Sequence, residues 1–452
     1  MTLWTKSAPA DATRPMRASV RLWACGAIVG PALLVFGLAR PDDGSVPFFV
    51  LLGLAALGYL LALHQVARGL HPSSRALLTC ATLALAWRIP MVLSVPEPAA
   101  DVRRYVWDAH LVRAGLSPYV VVPADPAFAH LRTAESWPLN NPDVPSPYPP
   151  AAQLFFLAAT APSESARALK LAFLLCDLLL ALVIWRTLDA TGMNPGWTLA
   201  YLWSPLVSLE VAGHGHLDVV GALLLALAVL ALSRGRALAG TVAFALSIGV
   251  KPLPIVLLPL LWRRIAPRQA VAGIAVLVAT YLPFLKQGQP LGSVPTVIDR
   301  FRFNGPVFAE VAALAGPPAA TVFAVAVGLA VAVWARRRLP LASPQTWAWP
   351  MAATLLCAPL VYPWYLVWLV PFLVAPLTMP LAIWTVSILG TYVAWQRPRV
   401  PFGVPPWVLV VEYGALLLAA VWVWSRNRAP GPTSSAPPSC PSPPASPPRS
   451  CS

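Results

Sequence analysis

Charge is scarce in this chain: Asp, Glu, Lys and Arg make up 11% of its 452 residues, against about 25% in soluble globular domains. With 58% hydrophobic residues and a mean hydropathy of +0.68, that shortage excludes a water-soluble fold and implies a body solvated largely by lipid. Acidic groups are the scarcest, 17 against 32 Lys and Arg, which leaves a formal charge of +15. In a soluble protein that excess would suggest a nucleic-acid partner. Here the arginines fall in short clusters between apolar runs, the positive-inside pattern of a multi-pass membrane protein, so nucleic acid is excluded as a partner. Cysteine is sparse too. Cys25, Cys80, Cys176 and Cys357 lie in apolar segments, Cys440 and Cys451 near the C-terminus, and none has zinc-site spacing, so they read as small hydrophobes. No convincing cleavage site follows the run from Leu22, which reads as a retained first helix. No internal repeat is evident.

What the chain has in abundance is apolar runs, and a helix crosses the hydrocarbon in about 20 such residues. Arg14, Arg17 and Arg21 precede a run from Leu22 to Ala39 and place the N-terminus in the cytoplasm. Val46 to Ala67 returns to Arg68 and Arg75, and Ala76 to Val95 exits again. This parity places residues 96–150 outside as a large first extracytoplasmic loop. Ala151 to Ala161 is too short to span and reads as a membrane-dipping or interfacial helix begun at Pro149-Pro150. Ala166 to Trp185 crosses to Arg186, Trp197 to Glu210 goes out, and Leu217 to Leu232 comes back to Arg234 and Arg236. Ala237 to Trp262 is interrupted at Lys251-Pro252 and ends at Arg263-Arg264. Each arm would reach only roughly 18 Å, short of a bilayer core of about 30 Å. The break then lies deep in the membrane or at the floor of a cavity reached from outside.

Ala270 to Leu285, an outer polar segment from Lys286 to Gly305, and Thr321 to Trp334 follow. Trp347 to Val361, a broken helix around Pro363 to Pro371, Pro380 to Trp395 and Trp407 to Trp424 complete the set. The expected fold is an all-α polytopic membrane bundle of about 11–13 transmembrane or membrane-dipping helices over residues 22–428. Residues 1–21 form a cytoplasmic tail. Residues 429–452 hold nine prolines among serines, cannot bury a core, and read as a disordered cytoplasmic tail.

Polar chemistry gathers in the loop: Asp101-Val-Arg103-Arg104-Tyr105-Val-Trp107-Asp108, Tyr119, Asn140-Asn141 and Tyr148. Asp101 lies shortly after the third span and has two readings, a general base near the membrane plane or a helix N-cap. Asp108, two turns along the same helical face, pairs functionally with Asp101 or forms an i−4 salt bridge to Arg104. Arg103 and Arg104 suit a phosphate or anchor at the headgroups. Lys251, an ammonium within a membrane segment, is a phosphate partner or a snorkelling residue. Glu210-Val-Ala-Gly-His214-Gly-His216-Leu-Asp218 supplies hydrogen bonds to phosphate or sugar; His-x-His alone gives a metal little support. Asp177, inside a span, faces the bundle interior. Tyr362-Pro-Trp364-Tyr365 and Arg300-Phe-Arg302-Phe-Asn304 serve an aromatic belt or stack on a sugar.

These segments resemble the GT-C superfamily of integral-membrane glycosyltransferases, most closely the bacterial polyprenol-phosphate-mannose-dependent mannosyltransferases. The resemblance rests on Asp101-x-x-Arg104-Tyr105-x-Trp107-Asp108, Gly115-x-x-Pro118-Tyr119, Tyr148-Pro-Pro150, Gly-His214-Gly-His216-x-Asp218, Lys251-Pro252, Phe303-Asn304-Gly305 and Pro363-Trp364-Tyr365-Leu366, in order over about residues 100–370. It implies that Asp101 is the catalytic base. Arg103, Arg104 and Lys251 would bind the donor phosphate, and Tyr105, Asp108, Tyr119, Tyr148, His214, His216, Asp218, Asn304, Trp364 and Tyr365 the substrates. It further implies inverting transfer of a hexose, mannose first, from a polyprenyl-phosphate donor to a glycan or lipid acceptor outside the plasma membrane. No cofactor or metal is assigned. Two positions depart from the pattern: Tyr362 stands where a histidine is frequent, and Ala109 where glycine is common. The competing reading is a multi-span transporter or lipid flippase, whose paired half-sequences are not seen here.

Overall fold

A computed structural model describes residues 14–98, 100–287, 291–396 and 402–428. Every regular element among them is helical, apart from an isolated bridge between Phe303 and Leu360. Eight helices are long and apolar enough to cross a membrane, nine if Pro205–Gly213 and Asp218–Ser233, bent by 120°, count as one broken span. Pro150–Ala159, Ala237–Val250, Pro306–Ala315 and Pro363–Phe372 are shorter apolar helices. The expectation of an all-helical polytopic membrane protein holds. The proline- and serine-rich tail at 429–452 and the first 13 residues lie outside the described residues.

The spans start where the sequence supplies caps. Ser45, Ser73 and Ser165 each precede a long helix and accept a bond from the backbone N–H three residues on, which satisfies a donor the helix leaves free. On Val46–Ala67, Phe48, Leu52, Ala55 and Tyr59 are buried while Val50, Leu54 and Leu57 are exposed. Both faces are apolar, as lipid on one side and protein on the other require. Inside the bundle Arg88 pairs with Asp177 at 3.0 Å and donates to the carbonyls of Ala84 and Leu202. The intramembrane aspartate thus ties the Ser74–Leu93 helix to the Ala166–Ala190 helix.

Three elements differ from the sequence reading. Trp197 to Glu210 is no continuous span: it breaks into Pro195–Thr198, Leu199–Leu202 and a final piece that starts at Pro205. Pro205 has no N–H to continue the preceding helix, and Ser204 Oγ caps the new turn at Val207 N, 3.4 Å away. The polar segment from Lys286 to Gly305 contains a helix, Val294–Arg300. Pro306–Ala315 is a further helix that the reading did not mark.

The first loop is a folded unit. The Asp101–Arg113 helix contributes Trp107 and Leu111 to a small core with Val121 and Leu139. The loop also docks on a distant segment, Ser293 Oγ donating to Pro145 O at 2.7 Å. Gly292 adopts φ +50 beside Ser146, where a Cβ would sit 2.0 Å from the Ser146 carbonyl oxygen. Lys170 fixes the chain just ahead of this loop: its Nζ donates to Met91 O and Ser94 Oγ at 2.6 and 3.0 Å, covering carbonyls at the end of the Ser74–Leu93 helix.

Candidate active site

A cavity of about 1600 Å³ opens at the end of the bundle from which the first loop emerges. Asp101, Asn140, Tyr148, His214, His216, Asp218, Lys251, Trp364 and Tyr365, remote in sequence, share its wall. Asp101 is the first residue of its helix, and Ala100 is the N-cap. The N-cap reading of Asp101 is therefore corrected: its carboxylate turns to the cavity instead of folding back on its own backbone. One oxygen accepts from Asn140 Nδ2 at 3.0 Å, the other from Tyr148 Oη at 3.4 Å. Burial raises its pKa, while the Asn140 bond and the charge of Lys251 partly offset the rise. A carboxylate so desolvated is more basic than a surface one.

Lys251 terminates the Ala237–Val250 helix with extended backbone, because Pro252 disfavours the helical conformation in the residue before it. The break lines the cavity, as the short arms suggested. Its ammonium donates to both oxygens of Asp218 at 2.7 and 2.8 Å and lies 4.5 Å from the Tyr365 ring centre. Asp218 begins its own helix, where the helix dipole favours an anion, and accepts a third bond from Trp368 Nε1 at 2.7 Å. The lysine keeps 17% side-chain exposure while Asp218 has none. The side of the pair that an anionic ligand reaches is the cation.

His214 and His216 stand on the sharp turn between the two halves of the broken span, where Gly215 takes φ +75. Glu210, fully buried, lies 3.3 Å from His214 Nδ1 and 3.4 Å from His216 Nε2. Tyr392 Oη donates to its other oxygen at 2.9 Å. Asp43, from the turn after the first span, lies 3.3 Å from His214 Nε2, and Asp101 lies 3.7 Å from His216 Nδ1. Two carboxylates, Asp43 and Glu210, thus flank the His214 ring on opposite nitrogens. Trp364 stacks on His216 at 4.0 Å and on Tyr362 at 4.4 Å, so the tyrosine found in place of a histidine extends an aromatic stack. Among the described residues, the donor atoms of Glu210, His214 and His216 converge closely enough to hold a metal ion.

Of the other residues singled out from the sequence, Arg103, Tyr105, Asp108 and Tyr119 lie behind this wall, while Arg104 and Asn304 reach it. Arg103 does not line the cavity: its guanidinium donates to the carbonyls of Pro96, Glu97, Ala134 and Trp137, crosslinking the loop. Arg104 touches the cavity edge but spends its donors on Asp108 at 3.2 Å and on the carbonyls of Val144 and Asn141. Asp108 is fully buried and also accepts from Ser146 and Gln153, which realises the salt-bridge alternative. Tyr105 is buried against Phe156 and Tyr148. Tyr119 Oη donates to Tyr148 O at 2.9 Å. Asn304 lines the cavity in left-handed backbone at φ +55, with Nδ2 donating to Glu412 at 3.0 Å.

Sequence reasoning passed over Asp43, Asn140, Trp368, Tyr392 and Glu412 as site residues. Asp43 carried a signal, an acidic pair at the outer end of a span. Tyr392 and Glu412 carried none, since each lies in an apolar run and meets the cavity residues Glu210 and Asn304, respectively, across more than a hundred residues of sequence.

Fold and cavity define a class first: a polytopic membrane protein whose polar groups are concentrated in one cavity partly walled by its first loop, as a membrane glycosyltransferase requires. Residues 24–266, more than half of the chain, match the family model described as Alpha-(1->6)-mannopyranosyltransferase, N-terminal domain. The chain belongs to this family. It is also 26% identical over 440 residues, 86% of this chain and 83% of the relative, to Alpha-(1->6)-mannopyranosyltransferase A of Mycobacterium tuberculosis (strain ATCC 25618 / H37Rv). The glycosyltransferase resemblance carried by the loop motifs and the family membership agree, and both favour an enzyme over a transporter.

Proposed function

We propose that this protein transfers mannose from a polyprenyl-phosphate donor to a glycan or lipid acceptor on the extracytoplasmic face of the plasma membrane, with Asp101 as general base. The observation that carries the reading is the position of Asp101: desolvated, held by Asn140 and Tyr148, and in the wall of a cavity that also presents Lys251. In the reaction an acceptor hydroxyl oxygen bonds to the anomeric carbon as the bond from that carbon to the phosphate oxygen breaks. The hydroxyl proton passes to Asp101. The leaving phosphate is already a weak base, so it needs a cation more than an acid, and Lys251 is the cation that meets it. One carboxylate therefore suffices where a hydrolytic glycosidase uses two. Direct displacement inverts the centre, so an α-linked product calls for a β-linked donor.

The cavity suits a lipid-borne sugar because apolar side chains such as Phe36, Met91, Ile298 and Phe308 share its wall with the polar cluster. Arg40 and Arg300 also line it, giving an anionic donor a basic approach. The arginines at 68, 75, 186, 234, 236, 263, 264 and 336–338 lie in or beside terminal turns of helices, away in sequence from the first loop, and by the charge rule these turns face the cytoplasm. The test is a donor panel with the purified protein: polyprenyl-phosphate mannose, polyprenyl-phosphate glucose and a nucleotide mannose. Transfer from the first alone is expected; transfer from the nucleotide sugar would overturn the lipid-donor assignment.

A further inference from the structure

The transfer just described uses Asp101 and Lys251 and leaves the Glu210, His214 and His216 cluster without a task. We propose that these three side chains bind one divalent transition cation of the zinc class, with a further coordination position open to the cavity. The first support is distance. Charge-assisted N–H···O bonds usually measure about 2.7–2.9 Å. Glu210 Oε2 instead lies 3.3 Å from His214 Nδ1 and 3.4 Å from His216 Nε2. Donors placed about 2.05 Å from a tetrahedral zinc are separated by edges of about 3.3 Å. The three donor atoms all fall within 4.8 Å of one another.

The second support is the outer shell. A histidine bound to metal commonly directs its remaining nitrogen to a carboxylate or carbonyl, which fixes its tautomer. Here the remaining nitrogens face two different carboxylates, His214 Nε2 towards Asp43 and His216 Nδ1 towards Asp101. His216 is only 4% exposed; its Nδ1 faces Asp101 at 3.7 Å, an ionic contact too long for a hydrogen bond, and has no hydrogen-bond partner. Tyr392 Oη occupies the other oxygen of Glu210, which leaves Oε2 to the two imidazoles; it also stands 3.0 Å from His214 Nδ1, a contact the ion would take over. Trp364 pins the His216 ring. Both histidines line the cavity, so a fourth ligand comes from that side: water, a hydroxyl or a phosphate oxygen.

The experiment is ion binding by the full chain, purified in detergent through a tag that contains no histidine and stripped with a chelator. Titration with Zn(II), and separately with Co(II) read by its visible absorption, is expected to reach one equivalent per chain and to raise the thermal unfolding midpoint. Glu210→Gln and His216→Ala are expected to abolish stoichiometric uptake. Asp43→Asn, outside the ligand set, is expected to weaken affinity about 10- to 100-fold. If the wild-type protein takes up neither ion and its midpoint does not move, the cluster is only a hydrogen-bonded chain and the proposal fails. Unchanged uptake in the Glu210→Gln, His216→Ala double variant overturns it equally. Neither readout depends on sugar transfer, so this site and the proposed reaction fail independently.

Discussion

Asp101 and Asp108 are both aspartates of one short helix, and their surroundings separate their tasks. Asp101 faces the cavity with two hydrogen bonds and a raised pKa. Asp108 is sealed behind it with Arg104, Ser146 and Gln153. Removing one partner of a buried ion pair costs about 3–5 kcal/mol because the other charge stays uncompensated. Asp108→Ala is therefore expected to destabilise the protein by about that amount, and Asp108→Asn by less, since the amide still accepts a bond. Thermal unfolding in detergent checks both. A stable, fully active Asp108→Ala protein would contradict the structural role. The salt bridge at i−4 was legible in the sequence as one of two alternatives. The choice between them was not, because it depends on Ser146 and Gln153, about 40 residues further on.

At the scale of elements, the broken helices position the chemistry. The close approach of the Asp218–Ser233 helix to Trp368 rests on Gly221, where a Cβ would stand 2.0 Å from the indole ring. That ring donates to Asp218. Gly221→Ala is expected to push the indole off Asp218, cost about 1–3 kcal/mol through overpacking and lower transfer activity. Unfolding midpoints and initial rates measure the two effects, and unchanged values for both would contradict the packing argument. Arg103 gives a second element-scale prediction. Its loss leaves four loop carbonyls without that donor, so Arg103→Ala is expected to speed protease cleavage between 133 and 138 several-fold. Unaltered cleavage would show that the loop does not depend on this crosslink. Long spans were readable because lipid imposes a minimum apolar length; Val46–Ala67 has the same ends in sequence and structure. The break at Pro205 was not, since a proline suits both the first turn of a new helix and a kink within an old one.

At the scale of the whole molecule, one end of the bundle gathers acidic, imidazole and aromatic groups with a few arginines around the cavity, while the other carries arginine clusters without them. The sequence gives this polarity through alternating spans and basic turns. It does not give the convergence of Asp43, Glu210 and Tyr392, which meet only when spans more than 160 residues apart pack together. The orientation predicts that a cysteine at Ala129, exposed on the first loop, is labelled by a membrane-impermeant maleimide in intact cells. A cysteine at Arg337 is expected to be labelled only after lysis. Cys25, Cys80, Cys176 and Cys357 are buried, so replacing Cys440 and Cys451 gives a quiet background. Reversed labelling would place the cavity on the cytoplasmic side.

The most direct measurement is single-turnover mannosyl transfer by Asp101→Asn protein in lipid vesicles, with donor binding followed in the same sample. The amide keeps the shape and the Tyr148 contact but cannot take a proton, and a positioned base contributes about 10²- to 10⁴-fold. A rate at least about 100-fold below wild type with donor affinity retained is the predicted result. Transfer at the wild-type rate would contradict the assignment of Asp101 as the base.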